Sequence, residues 1–246
     1  MPTHVDKIFF ILVFTLLLPH SAVCQLYPKW FLFQGDVQCS NITVGYVRPS
    51  YNRDSSIAQS FRNSCDVYAK NTKVHIAGGQ AFWATEGGTV WMGSNYVEEF
   101  DSTLSAQVQK KFAVLDSYIS KGIAIVLAGD SSCVRKIDDE RIRIASVKKP
   151  EWTEAPPQDA RNYYSVGVAE EYFYESSSWT AAENNARMSL ARQLFVSLKT
   201  LQKSDMKEGQ DIRDEELSVT LANIHIAARW RDIQKKIYYV LMRMPK

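Results

Sequence analysis

The sequence has few cysteines and few histidines, and its charges nearly cancel. It contains four cysteines and four histidines among 246 residues, and its formal net charge is +2. Nucleic-acid binders are usually strongly basic, so this balance argues against one. Beyond the N-terminal segment, only His75 and His225 remain, and neither has a second His or Cys at metal-ligand spacing. We therefore expect no metal, no cofactor and no nucleic-acid partner.

The sequence also lacks the motifs that mark common active sites. None of its glycine pairs begins a phosphate-binding loop, and neither a Gly-x-Ser-x-Gly nor a His-Glu-x-x-His pattern occurs. The repeated acidic pairs, Glu98-Glu99 and Glu215-Glu216, are interpreted as first-turn helix residues that interact with the helix dipole. We therefore predict no catalytic residue and a protein that is not an enzyme.

The N-terminal segment has the three parts of a secretory signal peptide. Lys7 precedes an apolar run from Ile8 to Leu18, and small residues around Ala22 follow. A run of 11 residues is too short for a permanent transmembrane helix. No later segment reaches transmembrane length. We therefore expect export, with residues 1–24 as the signal peptide.

Two outcomes of processing at Cys24 are open. Ala22 and Cys24 satisfy the small-x-small rule for cleavage before Gln25, which would release a soluble chain. Alternatively, Cys24 is lipidated and anchors the chain to the outer membrane. Ser21 and Val23 make a poor lipobox, so the sequence favours release.

Two stretches of the chain share the same order of features. Thr43-Val44-Gly45 aligns with Ser165-Val166-Gly167 at an offset of 122, and Asn63 meets Asn185 at that offset. Each stretch continues with an amphipathic helical pattern and ends in a pair of strand patterns. Duplication of one module is the simplest explanation.

The patterns within each stretch predict an α+β fold made of two duplicated small modules. Each module is a short antiparallel sheet packed against one or two helices. Serines at 55–56 and 176–178 are the candidate helix N-caps. The predicted helix stripes are Ile57, Phe61, Cys65 and Tyr68 in the first module, and Trp179, Ala182, Ala186, Leu190, Leu194, Leu198 and Leu201 in the second. The predicted closing strand pairs are 112–119 with 123–127, and 224–231 with 237–244.

A polar, proline-bearing stretch separates the two modules. It contains Pro150, Pro156 and Pro157, which suit an extended linker. We place the first module at residues 25–155 and the second at residues 156–246.

An aromatic insertion distinguishes the first module. Two aromatic runs flank a Gly-Gly turn and predict an extra hairpin. The aromatic residues there are Phe82, Trp83, Trp91 and Tyr96. Aromatic side chains most often fill protein interiors, but this set is also our candidate binding surface.

Processing at Cys24 leaves three cysteines. Cys65 lies on the helix stripe and is expected to be a buried free thiol. Cys39 precedes the first strand of its module and Cys133 follows the last strand. If these strands pair antiparallel, the two Cα atoms come within the roughly 4.4–6.8 Å that a disulfide requires. We therefore predict a Cys39–Cys133 bond, which an oxidising periplasm permits.

Four segments of the second module have a recognisable pattern: Tyr164–Ala169, the Ala-rich stretch Trp179–Arg192, Ala228–Asp232 and Tyr239–Leu241. In these segments the module resembles the LPP20-type lipoprotein family, which is related to the N-terminal domain of the flagellar assembly protein FlgT. The resemblance implies an envelope protein of Gram-negative type with an α+β fold, a lipidated N-terminus and no known catalytic residues.

These observations predict a non-enzymatic exported protein of the bacterial periplasm or outer membrane. We expect it to bind or scaffold other envelope proteins, or to self-associate. Two alternatives stay open: a role in assembly of the motility apparatus, and a ligand-binding domain whose site carries no recognisable motif.

Overall fold

The computed structural model describes the backbone of residues 25–85, 88–203 and 217–246, and their side chains except at 80–94 and 198–203. The helices are α1 (Lys29–Leu32), α2 (Arg53–Thr72), α3 (Ser102–Lys111) and α4 (Glu175–Lys203). The strands are β1 (Leu26–Pro28), β2 (Ile42–Val47), β3 (Lys73–Thr85), β4 (Gly88–Phe100), β5 (Ala113–Ile119), β6 (Ala124–Gly129), β7 (Arg141–Arg143), β8 (Asn162–Glu170), β9 (Leu217–Ala222), β10 (His225–Asp232) and β11 (Ile237–Pro245). Short 3-10 helices lie at Gln34–Asp36, Ser131–Lys136, Ile144–Ser146 and Glu151–Thr153.

The described strands form small antiparallel sheets. One has two strands, β1 and β7. Three others have three strands each, in the orders β2–β6–β5, β8–β11–β10 and β4–β3–β9. Helices α2 and α4 pack on two of these sheets. The predicted α+β fold class is therefore confirmed.

The sheets β2–β6–β5 and β8–β11–β10 share one topology. In each, the first strand leads into a long helix, and a later hairpin places its second strand in the centre of the sheet. Helix α2 packs on β2 and β6, and α4 packs on β8 and β11. This is the order of elements that the sequence predicts for both modules.

Each long helix approaches its sheet closely at a glycine. A Cβ atom on Gly45 would overlap the backbone of Ser60 and Ser64, and one on Gly167 would overlap the backbone of Ala182 and Ala186. Only glycine allows so close an approach of two backbones. The residues involved are 122 positions apart in the two modules.

Polar contacts around these glycines recur at the same offset. The hydroxyl of Thr43 donates to the backbone oxygen of Ser64 at 2.9 Å, and that of Ser165 donates to the backbone oxygen of Ala186 at 2.8 Å. Each bond joins the first strand of a module to the middle of its helix. Both bonds are buried, so each satisfies polar atoms that water cannot reach.

Asparagines at equivalent positions also bind the first strand of their own module. The Asn63 side chain accepts from the backbone N–H of Tyr46 at 3.0 Å. The Asn185 side chain donates to the backbone oxygen of Val168 at 2.7 Å. The repeated contacts support the interpretation that the modules are diverged copies, which stays a prediction.

The predicted serine caps are wrong. The N-cap of α2 is Asn52, whose side chain accepts a backbone N–H of the first turn. Ser56 lies inside that turn and accepts the backbone N–H of Ser50 at 2.8 Å. Ser178 lies inside the first turn of α4 and accepts the backbone N–H of Tyr172 at 2.8 Å. Both serines are buried, so their hydroxyls face the incoming loop and fix it on the helix.

The buried face of α2 also differs from the predicted stripe. Its members are small: Ser56, Ser60, Ser64, Cys65, Val67 and Ala69. Ile57, Phe61 and Tyr68 are only partly buried. The serines are buried because larger side chains would prevent the close approach to β2. In α4 the prediction is confirmed for Trp179, Ala182, Ala186 and Leu190, whereas the side chains of Leu198 and Leu201 lie outside the described part.

One hydrophobic cluster extends across both modules. Tyr27 and Phe31, from the N-terminal segment, contact Trp179 edge-on with ring centroids 6.1 and 5.3 Å apart. Trp179 also contacts Tyr238 at 4.7 Å. In addition, β9 pairs with β3 across the predicted module boundary. The modules therefore share a core, and the boundary at 155/156 stays a prediction.

The predicted extra hairpin is confirmed and is longer than expected. Strands β3 and β4 have 13 residues each and pair antiparallel, with Phe82 opposite Trp91. Their pairing extends to Val74 and Phe100. The hairpin is therefore continuous with the sheet that joins the two modules.

Candidate functional site

The cysteines after residue 24 are placed in the first module. The structure joins Cys39 to Cys133 by a disulfide, with the Cα atoms 6.1 Å apart. The bond links the segment before β2 to the 3-10 helix after β6. Cys65 is free and buried in α2, and burial raises the pKa of its thiol. Cys24, the candidate lipidation site, lies outside the described residues.

One member of the candidate aromatic surface has a described side chain. Phe82, Trp83 and Trp91 lie on the hairpin strands, but their side chains are outside the described part. Tyr96 is half-buried. Its hydroxyl accepts a hydrogen bond from Arg192 at 3.2 Å, and its ring centroid lies 5.3 Å from that guanidinium. Tyr96 therefore links the hairpin to α4.

The interpretation of Glu98 as a first-turn helix residue is wrong, because Glu98 lies on β4. Its carboxylate pairs with Lys70 at 2.9 Å and with Arg187 at 2.8 Å. Burial alone would raise the pKa of Glu98, but the two cations outweigh burial and hold it below its ordinary value of 4.5. Glu98 thus ties the hairpin to α2 and α4. Glu215 and Glu216 lie outside the described residues.

A second ion pair, which the sequence does not reveal, is buried at the junction of the modules. Arg229 donates to Glu183 at 2.8 Å, and the two side chains are 0% and 3% exposed. Arg229 also donates to the backbone oxygen of Phe31 at 2.9 Å and to the side chain of Gln34 at 3.0 Å. Because these bonds satisfy the guanidinium, the arrangement is structural: it holds the N-terminal segment against α4 and β10.

A cleft of about 640 Å³ lies between the modules. This volume is within the range of roughly 300–1,000 Å³ that is usual for small-molecule sites. Aromatic side chains and charged groups of both signs line the cleft: Tyr118, Tyr172, Phe173, Tyr238, Lys121, Glu171, Glu175 and Arg231.

Gln25, the first described residue, is held at the cleft by both ends of its side-chain amide. The amide nitrogen donates to Glu175, and the amide oxygen accepts from Arg231 at 2.6 Å. Glu175 also accepts from the hydroxyl of Tyr27 at 2.5 Å and from the indole of Trp179 at 3.2 Å. The segment that begins at Gln25 is therefore fixed to the wall of the cleft.

Two phenols near Glu175, those of Tyr27 and Tyr238, have a raised pKa. Burial, followed by the charge of Glu175, raises the pKa of Tyr27 well above its usual range. Burial also raises the pKa of Tyr238, and the opposing effect of Arg231 is smaller. A general acid or base works best with a pKa near the operating pH. The raised pKa values of both phenols therefore lie further from the operating pH, which makes these groups unsuited to acid–base catalysis.

Two equivalent loops lie at the cleft end of the modules, one after β2 and one after β8. Each presents an uncovered aromatic side chain. Tyr51 is fully exposed and Phe173, 122 positions later, is 93% exposed. Arg48 joins the loops: it donates to the hydroxyl of Tyr174 at 2.6 Å and lies 4.2 Å from the centroid of that ring. The two aromatic loops therefore form a connected rim.

The histidines lie apart on separate strands. His75, on β3, lies 3.2 Å from the hydroxyl of Thr220. His225, on β10, has a pKa lowered by burial and by the charge of Arg243. In the part of the chain that the structure describes, no group of three His, Cys, Asp or Glu residues is placed to hold a metal. Within the same residues, no helix has the length and apolarity needed to cross a membrane.

Comparison with known proteins shows that the second module is similar to one family. The family model described as LPP20 lipoprotein matches residues 150–244, which contain β8, α4 and β9 to β11. No curated protein and no solved structure matches the chain. The family is not a known enzyme family, and it indicates an exported, envelope-associated protein. The match confirms the resemblance seen in the sequence: over residues 150–244, this chain is similar to the LPP20 lipoproteins.

Proposed function

We propose that this chain is a non-enzymatic envelope lipoprotein, anchored through Cys24, that binds a strand of another envelope protein along its β3–β4 hairpin. The family match supports the envelope location and fits a lipid anchor. The open edge of β4 supports the binding role. A second copy of the chain is the alternative partner.

The open edge of β4 is the observation that carries this proposal. In the described part of the chain, β4 pairs with β3 alone and is the outer strand of its sheet. Val97, on β4, is 52% exposed. An outer strand presents unpaired backbone N–H and C=O groups, which can bind an added strand.

The edge is also rigidly supported. Glu98 fixes β4 to both long helices through Lys70 and Arg187, and Tyr96 fixes it to Arg192. A fixed strand loses little conformational freedom on binding, so less of the binding energy is offset by ordering. The aromatic residues Phe82, Trp83 and Trp91 would extend the contact along the same hairpin.

Photo-crosslinking tests the hairpin as a docking surface. A photoreactive amino acid replaces Val97 in the chain expressed in its native envelope, and Val134 is the matched control. Val134 is 49% exposed but lies on a 3-10 helix. We expect an adduct of higher mass from position 97 only. No adduct at 97, or equal adducts at both positions, would contradict the proposal. A product with the mass of two chains would identify self-association.

The cleft supports a second candidate function, the binding of a small ligand. Its volume of about 640 Å³ is suitable, and the Nε atom of Arg231 is buried without a hydrogen-bond partner. A ligand that raises the melting temperature of the wild-type chain but not of Tyr172→Ala would support this function.

A role in motility-apparatus assembly rests on the family resemblance alone. Reduced swimming of a deletion strain that grows normally would support it.

A further inference from the structure

We propose that the cleft end of the molecule lies directly on the lipid bilayer, with Tyr51 and Phe173 in the headgroup region. This inference rests on the proposed lipid anchor at Cys24. It adds the orientation of the folded body and identifies the membrane surface itself as a binding partner.

The chain leaves no flexible tether between the anchor and the folded body. The side chain of Gln25 bonds to Glu175 and Arg231, and its backbone oxygen accepts from the N–H of Ile144 at 3.2 Å. Strand β1 begins at the next residue. Consecutive Cα atoms are about 3.8 Å apart, so a lipid on Cys24 would begin one residue from the cleft wall. Such an anchor determines which end of the body faces the membrane.

The same end carries uncovered aromatic side chains. Phe173 is 93% exposed, Tyr51 is fully exposed, and Tyr172 is 55% exposed. Phe173 and Tyr172 line the cleft together with Gln25. Moving a large apolar side chain such as Phe out of water into an apolar environment is favourable. Tyrosine is also enriched at the membrane–water interface, which applies to Tyr51 and Tyr172.

The pairing of the exposed residues argues for a shared surface. Tyr51 and Phe173 occupy equivalent loops of the two modules, and the Arg48–Tyr174 contact holds these loops together. A flat partner such as a bilayer can contact both loops at once. Equivalent exposure in both modules, at the end that carries Gln25, fits this arrangement.

The opposite end of the first module provides a control position. Strand β6 runs for six residues from Ala124 at the cleft end to Gly129, which is about 20 Å of strand. Val134 follows on the next 3-10 helix and is 49% exposed. In the proposed orientation this residue lies well above the bilayer.

Fluorescence quenching tests the orientation. The lipidated full chain is reconstituted in vesicles of phosphatidylethanolamine and phosphatidylglycerol with brominated acyl chains. Phe173→Trp, Tyr51→Trp and the control Val134→Trp are each compared with the wild-type chain, which has six tryptophans. We expect brominated lipid to remove most of the fluorescence that Trp adds at 173 and 51, and to spare the fluorescence added at 134.

The outcomes separate the orientation from the anchor. A chain that does not float with the vesicles contradicts the lipid anchor, and with it this inference. A chain that floats without quenching at 173 and 51, or with equal quenching at 134, contradicts the orientation alone. A flexible Gly-Ser insertion between Cys24 and Gln25 provides a further control: it should reduce the quenching at 173 while leaving flotation unchanged.

Discussion

The two modules share backbone contacts but surround them with different chemistry. In the first module, Ser60 and Ser64 of α2 lie over Gly45, and the Ser60 hydroxyl donates to the backbone oxygen of Ala124 at 3.0 Å. In the second module, Ala182 and Ala186 lie over Gly167 with no side-chain hydroxyl. The close approach of helix and strand is therefore the feature that both modules share. The surrounding contacts differ, because the facing helix residues are serines in one module and alanines in the other.

The modules also differ in how their ends are held. A disulfide between Cys39 and Cys133 closes the first module. The second has no cysteine and instead buries Arg229 against Glu183. The disulfide links two segments of the first module, whereas the ion pair joins α4 to β10 and the N-terminal segment.

The largest effect is expected from substitution of the glycines under the helices. Gly45→Ala and Gly167→Ala each add a methyl group that would overlap backbone atoms of the facing helix. Overpacking costs about 1–3 kcal/mol in a core that can adjust, and more where it cannot. We therefore expect a loss of more than about 3 kcal/mol of unfolding free energy at each site. Urea denaturation followed by circular dichroism measures it.

Gly79→Ala is the matched control for both variants, because a Cβ atom there meets nothing within 4 Å. It should unfold like the wild-type chain. Equal stability of all three variants would contradict the close approach. A large loss at only one of positions 45 and 167 would show that the modules do not share it.

Glu183→Gln tests the buried ion pair with Arg229. Arg229 would lose its charged partner while remaining buried, and such a change typically costs about 3–5 kcal/mol. The free energy of unfolding should fall accordingly. Glu154→Gln, which removes an exposed pair with Lys149, should leave the unfolding midpoint unchanged. Equal midpoints for both variants would contradict the structural role of Arg229.

Removal of the disulfide tests the first module. The bond closes a loop of 94 positions, and disulfides typically contribute about 2–4 kcal/mol. Cys39→Ser with Cys133→Ser should lower the free energy of unfolding by that amount, and reductant should have the same effect on the wild-type chain. The double variant itself should not respond to reductant. Free thiols at both positions in protein purified from the envelope would contradict the bond.

The smallest effect is expected from protonation of Glu98. Its pKa in the folded chain lies below the ordinary value of 4.5. The stability contributed by the ionised carboxylate is therefore complete above pH 4.5 and is lost as the pH falls through the folded pKa. Thermal unfolding should show a steeper acid loss for the wild-type chain than for Glu98→Gln. Parallel pH profiles would contradict the role of Glu98 in joining the hairpin to the helices.

Patterns that are local in the sequence predicted the modules well. Alternating residues identified β10, the plan of the second module identified the pair β5–β6, and the repeated Val-Gly pair identified β2 and β8. Each of these signals lies within one element, where side-chain period reflects burial directly. The buried face of α2 was missed because its serines are not counted as apolar, although their small size is what the close packing requires.

Long-range contacts could not be predicted from the same patterns. Arg229 alternates with apolar residues along β10, a pattern typical of a half-buried strand, but the N-terminal segment covers this side chain. Glu98 was placed on a helix because acidic residues suit a first helical turn, yet it lies on β4 and its partners Lys70 and Arg187 come from two separate helices. These contacts arise only when both modules pack on one core.

The intact mass of the chain purified from its native envelope tests the central claim most directly. If the exported protein is anchored next to its cleft, the purified chain begins at Cys24 and carries a diacylglyceryl thioether. A chain beginning at unmodified Gln25 would keep export but contradict the anchor. A chain that retains Met1 would contradict export itself.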